Sequence, residues 1–241
     1  MKQVFLISLG ALLSAGLSIL EPAQAMVITV DDYSTDQDVN RLRIGTSTGS
    51  VDPNDGSILD NASRDVTLNV TNAGTGNTSA GFTTPSIISN AAGFSLPTGY
   101  TGNFRLSYDF TTSPQDLTSG GTNNRFSFSV IDSDATPNRT ITFGISLNGA
   151  PTVNRVLTSD VDFGIDPAIP ITFDFSSFAS ADLVAATSLQ LVILSSQARD
   201  VTITPLQAVP VPPALLGTLF AGVLAAIKAK RKSELAAGSK A

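Results

Sequence analysis

The chain has 241 residues and a net charge of −6, with no cysteine, no histidine and no tryptophan. These absences remove disulfide and thiol chemistry, the Ser-His-Asp and Cys-His arrangements of hydrolases, and the commonest transition-metal ligand. Residues 26–208 hold eight of the 14 Lys and Arg, all arginine, and 18 of the 20 Asp and Glu, all aspartate. The resulting negative field repels phosphate backbones and argues against nucleic acid as a partner.

The first 25 residues read as a secretory signal peptide: Lys2, an apolar stretch Val4–Leu20, and an A-x-A cleavage site at Ala23-Gln24-Ala25. Cleavage after Ala25 leaves Met26–Ala208 ahead of the C-terminal tail, a single domain by length with room for a real core. Its wealth of Thr, Ser, Asn, Gly and Asp favours strands joined by turns over helices.

Strict alternation confirms the period. "FRLSYDF" puts Phe104, Leu106, Tyr108 and Phe110 on one face, "RFSFSVID" does so with Phe126, Phe128 and Val130, and "TITFGISLNG" with Ile141, Phe143, Ile145 and Leu147. Such a pattern describes half-buried antiparallel strands. Val27–Val30, Arg64–Thr71, Thr152–Leu157, Ile171–Phe175, Ser188–Leu194 and Asp200–Pro205 are further strand candidates, and Phe175–Ser188 holds room for a short helix. Nine or ten short strands separated by turn signals predict an all-β fold, an antiparallel two-sheet β-sandwich of which the jelly roll is one form.

The predicted turns carry most of the carboxylates. Asp31, Asp32, Asp36 and Asp38 follow the first strand, and Asp200 would approach Asp31 if the first and last strands pair. Closely spaced oxygens suit calcium, so Asp31, Asp32 and Asp200 form a candidate metal site. "DPNDGSILD" (Asp52–Asp60) places its glycine one residue early for an EF-hand loop, and "DSDATPN" (Asp132–Asn138) reads as a hairpin loop. Of the three tyrosines, Tyr108 belongs to an apolar face, while Tyr33 and Tyr100 are available for exposure as sugar-stacking rings. No catalytic residues are assigned. An aspartate-based hydrolase would need two buried aspartates facing each other in a cleft.

The last 33 residues give the address. Val209-Pro210-Val211-Pro212-Pro213 is followed by uncharged Ala214–Ile227 and by the basic cluster Lys228, Lys230, Arg231 and Lys232. The prolines keep the backbone extended, the apolar stretch is near the lower length limit for a membrane span, and the cations fix its end on the cytoplasmic side. This order of parts resembles the PEP-CTERM sorting signal of Gram-negative bacteria. Val211 stands where the common motif has glutamate, as in VPxPA-type variants, and Ser233–Ala241 is a longer terminal tail than usual. "VITVDDYSTDQDV" (Val27–Val39) is similar to the opening of many PEP-CTERM surface proteins.

The resemblance implies a transmembrane helix at the C-terminus, recognition of Val209, Pro210, Val211 and Pro212 by an exosortase-like enzyme, and passage through the inner membrane to the cell surface or extracellular matrix. The domains expected are therefore 1–25 (signal peptide), 26–208 (extracytoplasmic sandwich), 209–233 (sorting and anchor segment) and 234–241 (cytoplasmic tail). The resemblance implies a non-enzymatic envelope, exopolysaccharide or biofilm protein without a required cofactor. A jelly-roll carbohydrate-binding module, with structural calcium and extracellular polysaccharide as partner, is the alternative.

Overall fold

A computed structural model describes residues 26–41, 43–51, 58–59, 62–72, 79–84, 90–110, 112–195 and 199–210. The signal peptide with Ala23 and Ala25, most of Asp52–Asp60, Val211, Pro212, and the apolar and basic tail with Lys228, Lys230, Arg231 and Lys232 lie outside them. Among the described residues, no helix is long and apolar enough to cross a membrane.

The strands are β1 (Ile28–Asp31), β2 (Gln37–Arg41), β3 (Gly45–Val51), β4 (Ser63–Asn72), β5 (Ala80–Thr84), β6 (Ala92–Leu96) and β7 (Thr101–Asp109). They continue as β8 (Asn123–Ser133), β9 (Ile141–Leu147), β10 (Val153–Leu157), β11 (Ile169–Asp174), β12 (Ser188–Ser195), β13 (Arg199–Ile203) and β14 (Leu206–Pro210). The expected helical stretch is a 3-10 turn, Phe175–Ser177, and one short helix, α1 (Ser180–Val184).

Two antiparallel sheets result. One runs β1-β14-β8-β13-β6-β5-β2, with β11 on the other edge of β8, and the second runs β10-β9-β12-β7-β4-β3. Within them, β6 to β13 pair as β6-β13-β8-β11 and β7-β12-β9-β10. That order, with successive strands passing between sheets, is an eight-stranded jelly roll of two Greek keys. The remaining strands widen both sheets. Because β8 and β9 lie in different sheets, Asp132–Asn138 is a crossing between layers, and the expected hairpin there is corrected.

The alternation seen in the sequence places one face of each strand in a common core. Phe128 of β8 meets Phe143 of β9 at 5.2 Å between ring centroids, and Phe94 of β6 meets Phe104 of β7 at 5.2 Å, both edge-on. Each pair joins the two sheets and adds roughly 0.5–1.5 kcal/mol beyond the area it buries. The β9–β10 loop opens with Asn148-Gly149, both at positive φ (48° and 74°), as a mirror-image hairpin turn requires.

β13 and β14 lie end to end along one edge of β8. At the break, Thr204 N–H donates to Ser129 O (2.9 Å), and Ser129 N–H donates to Thr204 Oγ1 (2.8 Å), so β8 keeps its partners. β14 pairs with β8 as far as Pro210 opposite Asn123, which puts Val209 and Pro210 of the proline motif inside the sheet. On its other side β14 holds β1, with Ile28 opposite Ala208. The first and last described strands are therefore neighbours.

Candidate functional site

Two polar assemblies stand out, one buried and one open. The buried one contains the first candidate calcium ligand. Asp31 and Arg64 form an ion pair, Arg64 Nη1 lying 2.8 Å from Asp31 Oδ2 and 3.0 Å from Oδ1, with both side chains fully buried. Arg64 also donates to Gln37 Oε1 (2.8 Å), Thr35 O (3.0 Å) and Thr84 Oγ1 (3.2 Å). Asp31 also accepts from Tyr108 Oη (3.0 Å) and Tyr33 N–H (2.8 Å).

The last of these bonds turns the chain at the end of β1 and puts Tyr33 at φ 59°, a left-handed conformation that L residues rarely adopt. The turn drives the Tyr33 ring inward, beneath the Arg64 guanidinium at 5.9 Å. Burial raises the Asp31 carboxyl above its ordinary range, although Arg64 and the two hydrogen bonds pull it down. Burial and the adjacent Asp31 charge likewise raise the Tyr33 and Tyr108 hydroxyls.

This arrangement uses Asp31 as a counter-ion. Asp32 accepts Ser34 N–H (2.9 Å) in a surface turn. β1 pairs with β14, a strand beyond the predicted last one, so Asp31 sits opposite Leu206 while Asp200 belongs to β13. Six residues along the strand direction separate the two positions, about 20 Å. The structure thus keeps Asp31, Asp32 and Asp200 apart, and among the described residues no group of three or more acidic side chains could hold a metal ion. Asp31 is also the one buried carboxylate among them. Tyr33 and Tyr100, the two rings the sequence left available for exposure, are both wholly buried (0%), because each closes a turn against the core. Tyr108 is in the core as read.

The open assembly is a groove of about 340 Å3 on the outer face of the larger sheet. Its construction follows from register. Asn40 of β2 stands opposite Gly81 of β5, Gly81 opposite Ser95 of β6, and Ser95 opposite Asp200 of β13. A second row runs Asp38, Thr83, Gly93, Thr202 and Asp132, ending on β8.

Alternation sends all of these outward while Phe82, Phe94 and Val201 face the core below. Glycine at 81 and 93 lowers the floor, and the Asn40 side chain lies over Gly81, where a Cβ would come within 2.5 Å of Asn40 Oδ1. At about 4.8 Å between strands, the first row, over four strands, is about 14 Å long and the second, over five, about 19 Å, the length of a short oligosaccharide.

The β8 end of the groove is acidic. Desolvation raises the Asp132 carboxyl, helped by the charges of Asp200, Asp162 and Asp134 and opposed by a hydrogen bond from Phe163 N–H. Asp134 accepts Asp200 N–H (3.0 Å) and pairs with Arg199 at 3.4 Å. Hydroxyl, amide and carboxylate groups line the trough together with atoms of Phe82, Phe94 and Val201, and no lysine or arginine does. It can accept and donate hydrogen bonds to a polyhydroxylated ligand and repels an acidic one.

Sequence reasoning singled out Asp200 here but as a metal ligand, and it passed over Asn40, Thr83, Ser95 and Thr202. No spacing in the sequence links those residues.

No family model and no curated protein matches the chain. Among solved structures, it resembles a family 11 carbohydrate-binding module from Clostridium thermocellum in complex with a β-1,3-1,4-mixed-linked tetrasaccharide. Identity is 13% over 76% of this chain and 95% of that one, with a TM-score of 0.35. It also resembles a module, TmCBM61, in complex with β-1,4-galactotriose (11% identity, 78% and 90% coverage, TM-score 0.31). A third likeness is to an exo-β-agarase (13% identity, 67% of this chain, 24% of that one, TM-score 0.37). Likenesses at this level define neither a family nor a ligand for this chain.

Proposed function

We propose that the protein is an exported, non-catalytic β-sandwich that holds a polysaccharide chain along the outer face of its larger sheet. The observation that carries this reading is the groove. It has two registered rows of small polar side chains, a glycine-lowered floor, carboxylates gathered mainly at the β8 end and no lysine or arginine in its lining. Sugar hydroxyls both donate and accept, which matches Asn40, Ser95, Thr83, Thr202, Asp132 and Asp200. The excess of aspartate favours a neutral glycan over a uronate.

The address belongs to the same proposal. The N-terminal segment and the tail direct the chain across the inner membrane, and an exosortase-like enzyme processes the tail. Pairing of β1 with β14 supports this arrangement, because both flanking segments leave the sandwich from neighbouring strands.

Binding is tested by affinity electrophoresis of the protein in gels containing mixed-linked β-glucan, galactan, xylan or alginate. At least one neutral polysaccharide should retard the protein, alginate should not, and Ser95→Arg, which fills the groove from its central strand, should abolish the retardation. Free migration in every gel would overturn the binding reading, as would retardation unchanged by Ser95→Arg.

A further inference from the structure

The loop between β10 and β11 ends in a feature that the reading above leaves unused. Val161 is tied to Ser133 at the end of β8 by two backbone hydrogen bonds of 2.8 Å. Asp166 then folds back on Asp162, its carboxylate accepting Asp162 N–H (3.1 Å) and its own N–H donating to Asp162 O (3.0 Å). Gly164 takes φ 77° at the tip.

Phe163 lies inside this short, doubly fastened turn. The Val161–Ser133 pairing holds the turn next to Asp132, the last residue of the groove's second row, so the backbone of Phe163 is fixed at the groove's end. Its ring is nonetheless 48% exposed, whereas Phe82, Phe94, Phe104, Phe126, Phe128 and Phe143 are all in the core. An aromatic ring held rigidly in water beside a row of hydrogen-bonding groups loses little entropy on binding and offers an apolar face.

The geometry points to Phe163 as the stacking platform of a terminal sugar subsite, on which the apolar face of a neutral hexopyranose rests while Asp132 and Asp200 accept hydrogen bonds from its hydroxyl groups. The inference rests on the glycan-binding reading of the groove and adds where along it a ring is gripped. A carboxylate-bearing sugar is refused at this end by Asp132, Asp162 and Asp200. A pyranose presents a face of C–H groups to the ring and hydroxyls at its rim, so one residue satisfies both partners.

The test is isothermal titration of the protein and of Phe163→Ala, Phe163→Tyr and Ser95→Arg with whichever of mixed-linked β-glucan, galactan or xylan the parent protein binds. Phe163→Ala should weaken binding about 10- to 100-fold, within the range that loss of one aromatic contact gives. Phe163→Tyr should restore it, and the circular dichroism and melting temperature should not change, since the ring is outside the core. Unchanged affinity in Phe163→Ala, with Ser95→Arg still abolishing binding, would overturn the subsite and leave the groove standing. Binding indifferent to both substitutions would overturn the groove as well.

Discussion

Replacing Arg64 by methionine tests the buried polar assembly most severely. Met fills most of the volume of the arginine stem but supplies none of its donors. The substitution leaves the Asp31 carboxylate, which is wholly inaccessible, with only Tyr33 N–H and Tyr108 Oη as donors. It also removes the partner of Gln37 Oε1, whereas Thr35 O keeps the Thr84 hydroxyl at 2.7 Å. Breaking a buried ion pair from one side costs about 3–5 kcal/mol, and each orphaned acceptor adds about 1–3 kcal/mol where no water reaches it. Against a whole-domain stability of about 5–15 kcal/mol, the variant should be close to unfolding at 37 °C.

Urea denaturation followed by circular dichroism measures the loss. The double variant Arg64→Met/Asp31→Asn keeps an oxygen for Tyr33 N–H but no charge, and it should regain at least about 1 kcal/mol over Arg64→Met. The pH dependence has a definite sign. Asp31 already has a raised carboxyl, and without Arg64 it rises further, so protonation favours the folded state more than the unfolded one. The Arg64→Met deficit should therefore shrink as the pH falls into the carboxylate range and grow as it rises above it. A loss below about 1 kcal/mol, or a deficit independent of pH, would refute the reasoning.

The acidic end of the groove gives a second pH signature. The Asp132 carboxyl is raised, so its contribution to stability is present below the ordinary carboxylate value and is lost as the pH rises through the raised one. Asp132→Asn should be neutral at pH 3 and stabilise by a few tenths of a kcal/mol at pH 7, less so in high salt, because the site is partly solvated. Thermal melts at the two pH values decide it. The C-terminal strand gives another test. A chain ending at Pro210 keeps β14 whole and should melt with the mature protein. One ending at Pro205 loses buried Leu206 and Ala208, together with the partner of β1, and should be less stable by more than about 2 kcal/mol.

The sequence spoke clearly where burial was one-sided. β7, β8 and β9 alternate apolar and polar residues over their length, and their inward faces are the core that alternation required. Five strands were not legible. β3, "GTSTGSV", has only a terminal apolar side chain, and β2 turns just Gln37 and Val39 inward. β5 offers one phenylalanine among glycine, alanine and threonine, and β6, five residues long, only Phe94 and a terminal Leu96 beside small residues. β14 was hidden by its proline, which sits at the strand's end where a missing N–H does little harm.

Three of these strands, β2, β5 and β6, build the groove, so the candidate site was lost with them. Its rows join residues 40, 81, 95 and 200, an adjacency created by register and by nothing local. Asp31 was noticed for its charge, but its partner lies 33 positions away at Arg64, on a strand whose alternation marked only apolar positions. Phe163, flanked by Asp162 and Gly164, looked like any loop residue.

The measurement that bears most directly on the account is a 15N-resolved NMR titration of the protein with a soluble neutral oligosaccharide, the mixed-linked β-1,3-1,4 tetrasaccharide and β-1,4-galactotriose being the first two probes. The account predicts amide shifts concentrated on Asn40, Gly81, Thr83, Gly93, Ser95, Thr202, Asp132 and Phe163, in two lines across the larger sheet. Shifts confined to the opposite sheet, or none with any neutral oligosaccharide up to millimolar concentration, would contradict it.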